Sequence, residues 1–186
     1  LLGTDADVWN SSIANCKRCH TTDKPILEST RKEQQSGKLS HDFSKSQLDD
    51  LFGVGGWRAI RRRCIWQPNK GKYRNIDNAK TAKTNLASHL SDTIHTAPFD
   101  TAVSILQKLR KLVGQPLCSS WQMGLSTDDQ KDAYHTIPNL LSHLGLAVVA
   151  FMNEQRRIVF TIAYGHVFGL KTAVNNYNRT PEFGVA

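Results

Sequence analysis

The chain has no apolar run near the roughly 20 residues that a membrane-spanning helix needs, so no membrane partner is expected. It has only four cysteines, Cys16, Cys19, Cys64 and Cys118, too few for a disulfide scaffold. It shows no internal repeat and no low-complexity tract. No positively charged stretch leads into an apolar one ahead of a small-residue cleavage site. The expectation is an intracellular chain, cytoplasmic or nuclear, and not a secreted one. Acidic residues are scarce beside basic ones, 16 against 24. What remains is 186 residues that are 39% hydrophobic and 22% charged, a folded composition on the polar side. That length suits about one domain with an appendage and can bury a core without help from metals.

The scarcity of acid is local. From Arg58 to Lys83 stand nine basic residues and a single acid, Asp77, and this window carries the whole net charge of +8. A net charge concentrated in one stretch points to a polyanion, nucleic acid or nucleotide phosphate, although a solvated face would look the same in sequence.

Residues 1–43 are polar and weakly periodic, which predicts loops and one helix around Pro25 to Gln35. Ser44 to Gly53 predicts a short helix with a Ser cap, an apolar face of Leu48, Leu51 and Phe52, and a Gly stop. The Gly-Val-Gly-Gly run at 53–56 suits a turn better than a phosphate cradle, for no Lys-Ser/Thr follows it. Trp57 to Trp66 and Lys72 to Asp77 predict a hairpin turned at 68–71. Side-chain alternation puts Lys72 and Arg74 on one face and Tyr73 on the other. A helix follows from Asp100, with Val103, Leu106, Leu109, Leu112 and Val113 as its stripe. Residues 121–134 read as an extended segment entering a turn, and Leu140 to Leu146 as helical. Leu146 to Phe151 and Arg157 to Ile162 predict a second hairpin covered on both faces. Gly169 to Pro181 predicts a last helix. Helices on an antiparallel sheet make the fold class α+β.

Three further segments carry chemistry. Cys16-Lys-Arg-Cys19-His20 fits the Cys-x-x-Cys-His pattern of haem attachment, but suits better a polar segment that binds nothing. A zinc site would need a second ligand pair. Asp128, Asp129 and Asp132 supply the carboxylate oxygens that Mg2+ prefers, or else an acidic helix start. Gly169 between Phe168 and Leu170 allows a close backbone approach.

Taken in order, Lys72-Tyr-Arg74-Asn-Ile-Asp77, Asp129-Gln-Lys-Asp132-Ala-Tyr134 with Ile137-Pro138, and Phe168-Gly169-Leu170 with Ala173, Tyr177 and Arg179 resemble the motifs of a retrotransposon-type reverse transcriptase. Val174 stands where the last motif usually has Pro, and no Tyr-x-Asp-Asp motif follows. The resemblance implies a partial polymerase right hand: a polar extension over 1–55, a fingers-like basic hairpin and helix over 56–115, and the start of an antiparallel palm sheet over 116–186. It implies RNA-directed DNA synthesis on an RNA or DNA template-primer from deoxynucleoside triphosphates, with Mg2+ or Mn2+. Asp129 would be the catalytic and metal-binding residue. Lys72, Arg74, Asp132, Ala133, Tyr134, Phe168 and Gly169 would bind the nucleotide. Arg61, Arg62, Arg63 and Lys70 would bind nucleic acid. The other expectation is a non-catalytic RNA- or DNA-binding module or a decayed retroelement relic.

Overall fold

The structure, a computed structural model, describes residues 1–17, 21–89, 99–113 and 133–183, with the backbone alone at 99, 101–102, 113 and 178–183. Asp129 and Asp132, with Cys19, His20 and Cys118, lie outside the described residues. Residues 1–91 and 132–186 form one unit and residues 92–131 a second. In the second unit, Phe99–Val113 is a helix (α4 below), as its apolar stripe predicts.

The first unit is built on four strands: β1 (Ala59–Gln67), β2 (Lys72–Asp77), β3 (Val148–Met152) and β4 (Ile158–Ile162). Both expected hairpins form, but they join one mixed sheet in the order β2-β1-β3-β4. This corrects the expected antiparallel sheet: β1 lies parallel to β3, with Ala59 opposite Val148 and Arg61 opposite Ala150. The cause is apolar matching. Ala59 and Ile60 are buried like Val148 and Val149, and central strands buried on both faces pair readily in parallel.

Ala59, Val148, Ala150, Phe160 and Ile162 meet Trp57, Ile13 and Leu48 on one face of the sheet. Ile60 and Val149 meet Leu39, Ala79, Ala82 and Val167 on the other. Ile13 belongs to α1 (Thr4–Ala14) and Leu48 to α3 (Lys45–Phe52). The Ser44 cap of α3 forms as expected, its hydroxyl accepting from the Gln47 amide while Gln47 returns a bond to Ser44, a reciprocal box. The α1 helix was not expected. Its buried line is Ala6, Asn10 and Ile13, and the polar member hides the periodicity. Asn10 repays its burial by donating to the Trp57 carbonyl (2.9 Å) and accepting from the Ala59 amide (2.9 Å). The N-terminal region therefore supplies core residues, among them Ala6, Ile13, Ile26, Leu39 and Leu48. Residues 39–43 hydrogen-bond along β4, Phe43 exchanging both backbone bonds with Phe160, and so cover an edge that would otherwise be open. Helix α2 (Asp23–Gln35) brings Thr30 and Glu33 to the sheet. Among the described residues no helix is long and apolar enough to cross a membrane.

Arg62 corrects another expectation. Its side chain is 1% exposed and points into the protein, with Nε 2.8 Å from Asp77 Oδ1 and a terminal nitrogen 2.7 Å from Glu33 Oε2. A second bond to Asp77 and one to Thr30 Oγ1 bring the engaged donors to four of five. The carboxylates hold the guanidinium proton more tightly than usual, against the opposing effect of burial. It is not available to phosphate. Removing Asp77 leaves Arg62 with Glu33 alone and strips two of its buried N–H groups of their acceptors, at a cost of about 3–5 kcal/mol. Asp77→Ala should therefore lower the thermal midpoint by about 10 °C, whereas Arg61→Ala should leave it nearly unchanged. Equal midpoints for the two variants would contradict this assignment.

Candidate nucleotide and nucleic-acid site

Three segments far apart in sequence meet at the end of β2. Arg74 leaves β2 and lays its guanidinium carbon 4.1 Å from the centre of the Phe168 ring. Tyr134, in a 3-10 turn over Ala133–Thr136, stands 5.6 Å from Phe168 and 5.8 Å from Tyr177, ring centre to ring centre. Tyr177 lies on α5 (Lys171–Phe183). The Phe168 carbonyl accepts from the Asp77 amide at 3.0 Å. The site is thus tied by the backbone to the residue that holds Arg62.

Gly169 explains how this approach is possible. Its φ is +128°, in a region that side chains rarely adopt, and a methyl there would fall on the Asp77 carbonyl oxygen. The close approach foreseen for Gly169 is made, but to the chain's own backbone and not to a flat ligand. Asn85 then fixes the start of α5. Its amide donates to the Gly169 carbonyl at 3.2 Å and its oxygen accepts from the Lys171 amide at 2.8 Å. No signal in the local sequence marks Asn85 for this role.

The register sorts the basic residues. Ile65 pairs with Arg74 and Gln67 with Lys72, so Arg61, Arg63, Lys72 and Arg74 share one face of the β1–β2 ribbon. Lys70 sits in the turn at its tip. Arg58 is buried and bonded to Asp5 at 2.8 Å and to the Ala82 carbonyl. The positive window therefore divides into cations that hold the fold and cations that face outward. Among the described residues Arg61, Arg63, Lys70, Lys72 and Arg74 have no ion-pair partner. Arg61 and Arg63 line a cavity of about 400 Å3 with Cys16, Cys64, Ile26 and Met152. Neither Arg74 nor Tyr134 borders it.

Behind the aromatic group two histidines are held neutral. His166 has Nδ1 2.8 Å from Asn139 Oδ1 and Nε2 2.7 Å from Asn176 Nδ2. The amide can only donate to Nε2, so the hydrogen sits on Nδ1. Burial lowers the affinity of His166 for a second proton. Burial also lowers that of His135, with Glu33 and Asp77 opposing and Arg62 and Lys38 assisting. The Nδ1 of His135 is buried without a hydrogen-bond partner.

Of the expected nucleotide-binding residues, the structure brings together Arg74, Tyr134, Phe168 and Gly169, with Lys72 further along the same face. Ala133 adjoins Tyr134 in the turn. Asp129 and Asp132 fall outside the described residues, and among those described no three His, Cys, Asp or Glu side chains form a metal cluster. No protein-family model matches this chain, and a search of curated proteins returns no match.

The histidines set the pH response. Their folded-state values lie below the ordinary value of about 6.5, so on acidification the unfolded chain takes up protons first and the fold loses stability. The thermal midpoint should be flat above pH 7 and should fall as the pH drops below about 6.5. His166→Gln should reduce that fall. A midpoint that rises over this range would contradict the assignment.

Proposed function

We propose that this chain is a reverse-transcriptase-like polymerase domain, the fingers and the start of the palm. The reaction is template-directed addition of a deoxynucleotide to a primer 3′ hydroxyl, with pyrophosphate leaving. One observation carries the reading: Arg74, Tyr134 and Phe168, drawn from three segments that resemble the family's motifs, stand around one point. Nothing in the composition requires residues so far apart to meet.

Each has work that suits it. A guanidinium stacked on an aromatic ring has its plane fixed, and its remaining N–H groups form a fork that matches phosphate oxygens. Arg74 is exposed and has no ion-pair partner among the described residues, so that fork can take a triphosphate, with Lys72 adding charge. Tyr134, packed against Phe168 and Tyr177, presents a supported ring that a 2′ hydroxyl would strike. Asp129 is the residue assigned to Mg2+ or Mn2+. The metal, when bound, supplies Lewis-acid activation of the hydroxyl and neutralises the leaving group. A non-catalytic nucleic-acid-binding module is the second reading. The unpaired cations of the β1–β2 ribbon favour it, since they need no chemistry to serve that role.

The test is binding of dTTP and its ribose counterpart, 5-methyluridine triphosphate, in Mg2+, measured by calorimetry. dTTP should bind more tightly than the ribonucleotide. Arg74→Lys and Arg74→Ala should each weaken dTTP about tenfold or more, since Lys can neither stack in plane nor grip bidentately. Tyr134→Ala should narrow the gap between the two sugars. Unchanged dTTP affinity in Arg74→Ala would overturn the nucleotide reading and leave the binding module.

A further inference from the structure

The face of the β1–β2 ribbon opposite Arg74 has no part in that site. Beyond Arg61, β1 has no strand on its other edge among the described residues, since its pairing with β3 ends at Ala150. The outer ribbon is a two-stranded arm, paired from Arg62–Asp77 out to Gln67–Lys72. Near its tip Trp66 and Tyr73 are cross-strand partners, ring centres 5.0 Å apart at 61°. They are 51% and 45% exposed. Trp9 and Trp57, by contrast, are packed into the fold. Cross-strand aromatic pairs do stabilise ribbons, by up to about 1 kcal/mol. That does not account for the company this pair keeps. From Arg63 to Ile76 stand four cations, Arg63, Lys70, Lys72 and Arg74, and no acid. None of the four has an ion-pair partner among the described residues.

We propose that Trp66 and Tyr73 form a stacking platform for unpaired bases, so that this arm binds single-stranded nucleic acid in preference to duplex. Every base has a π-face, so an exposed indole or phenol ring accepts bases without regard to sequence. Lys70 in the tip turn, with Lys72 next to Tyr73 in the chain, supplies the charge complementarity to the phosphates. A duplex offers the same phosphates but keeps its bases stacked internally, so it can use only the cations. The turn at 68–71, with Pro68 at its start and Gly71 in the left-handed conformation, keeps the rings in place before binding, which limits the ordering cost. The Arg62–Asp77 pair at the root anchors the arm. This deepens the nucleic-acid reading at a surface distinct from the Arg74 face.

The experiment compares labelled oligothymidylate of 15 nucleotides, a 15-base-pair duplex and an abasic strand of equal length, by fluorescence anisotropy. The wild-type chain should prefer the single strand. Trp66→Ala should weaken it roughly tenfold, as expected for losing a stacked base, while duplex and abasic affinities stay within about twofold. Trp66→Phe should retain most of the preference. Should Trp66→Ala lower the thermal midpoint, quenching of tryptophan emission in the wild-type chain by oligothymidylate, lost in Trp66→Phe, serves in its place. Equal losses for single strand and duplex, no quenching, or Trp66-dependent binding to phosphatidylserine vesicles with oligonucleotide binding unchanged would each overturn the proposal. Binding of dTTP by Trp66→Ala should match wild type, so failure here is distinguishable from failure of the Arg74 site.

Discussion

The pairing of Arg62 with Asp77 in the interior is the interaction on which the rest depends. A buried guanidinium is tolerated only if its charge and most of its donors are met, and here two carboxylates and a hydroxyl meet the charge and four of the five donors. The pair joins β1 to β2 where the ribbon leaves the sheet, and Glu33 joins both to α2. The backbone of Asp77 does further work: its amide bonds Phe168 and its carbonyl lies against Gly169. One residue thereby fixes the root of the arm, the helix above it and the turn that carries the aromatic site. An ion pair of this kind adds little net stability compared with a well-packed apolar pair, but it specifies register, because slipping the ribbon by one residue would bury Arg61 or Arg63 unpaired.

Alternation along β1 then separates functions that a run of three arginines conceals. Arg62 faces inward and holds the fold. Arg61 and Arg63 face outward with Lys72 and Arg74. The ribbon has two faces, one with Arg74 over the Phe168 ring and one with Trp66 and Tyr73. Lys70, in the turn at the tip, belongs to neither face and lies at the end of both. Phosphate attraction would draw in a polyanion at long range, while the rings discriminate only on contact.

Much of this was legible in the sequence. The two hairpins, the capped helix at 45–52 and the last helix carry unambiguous periodicity and turn chemistry. The proximity of Arg74, Tyr134 and Phe168 was implied only by a resemblance, because sequence spacing carries no contact information. The α1 helix escaped notice because its core-facing line includes Asn10, whose bonding partners at Trp57 and Ala59 lie nearly fifty residues away. The parallel pairing of β1 with β3 was equally hidden, since a short apolar stretch such as Ala59-Ile60 fits either direction. Charge counting overstated the surface field. Arg58 and Arg62 sit inside, matched by Asp5, Asp77 and Glu33, three acids that the sequence scatters over more than seventy positions.

Hydrogen exchange with and without dTTP and Mg2+ is the most direct measurement of the central claim, that three remote segments make one nucleotide site. The expected result is joint protection of amides at 72–77, 133–138 and 167–171, appearing over the same dTTP concentration range and diminished together in Arg74→Ala. Protection confined to one of the three, or found only around the cavity lined by Arg61 and Cys64, would contradict it.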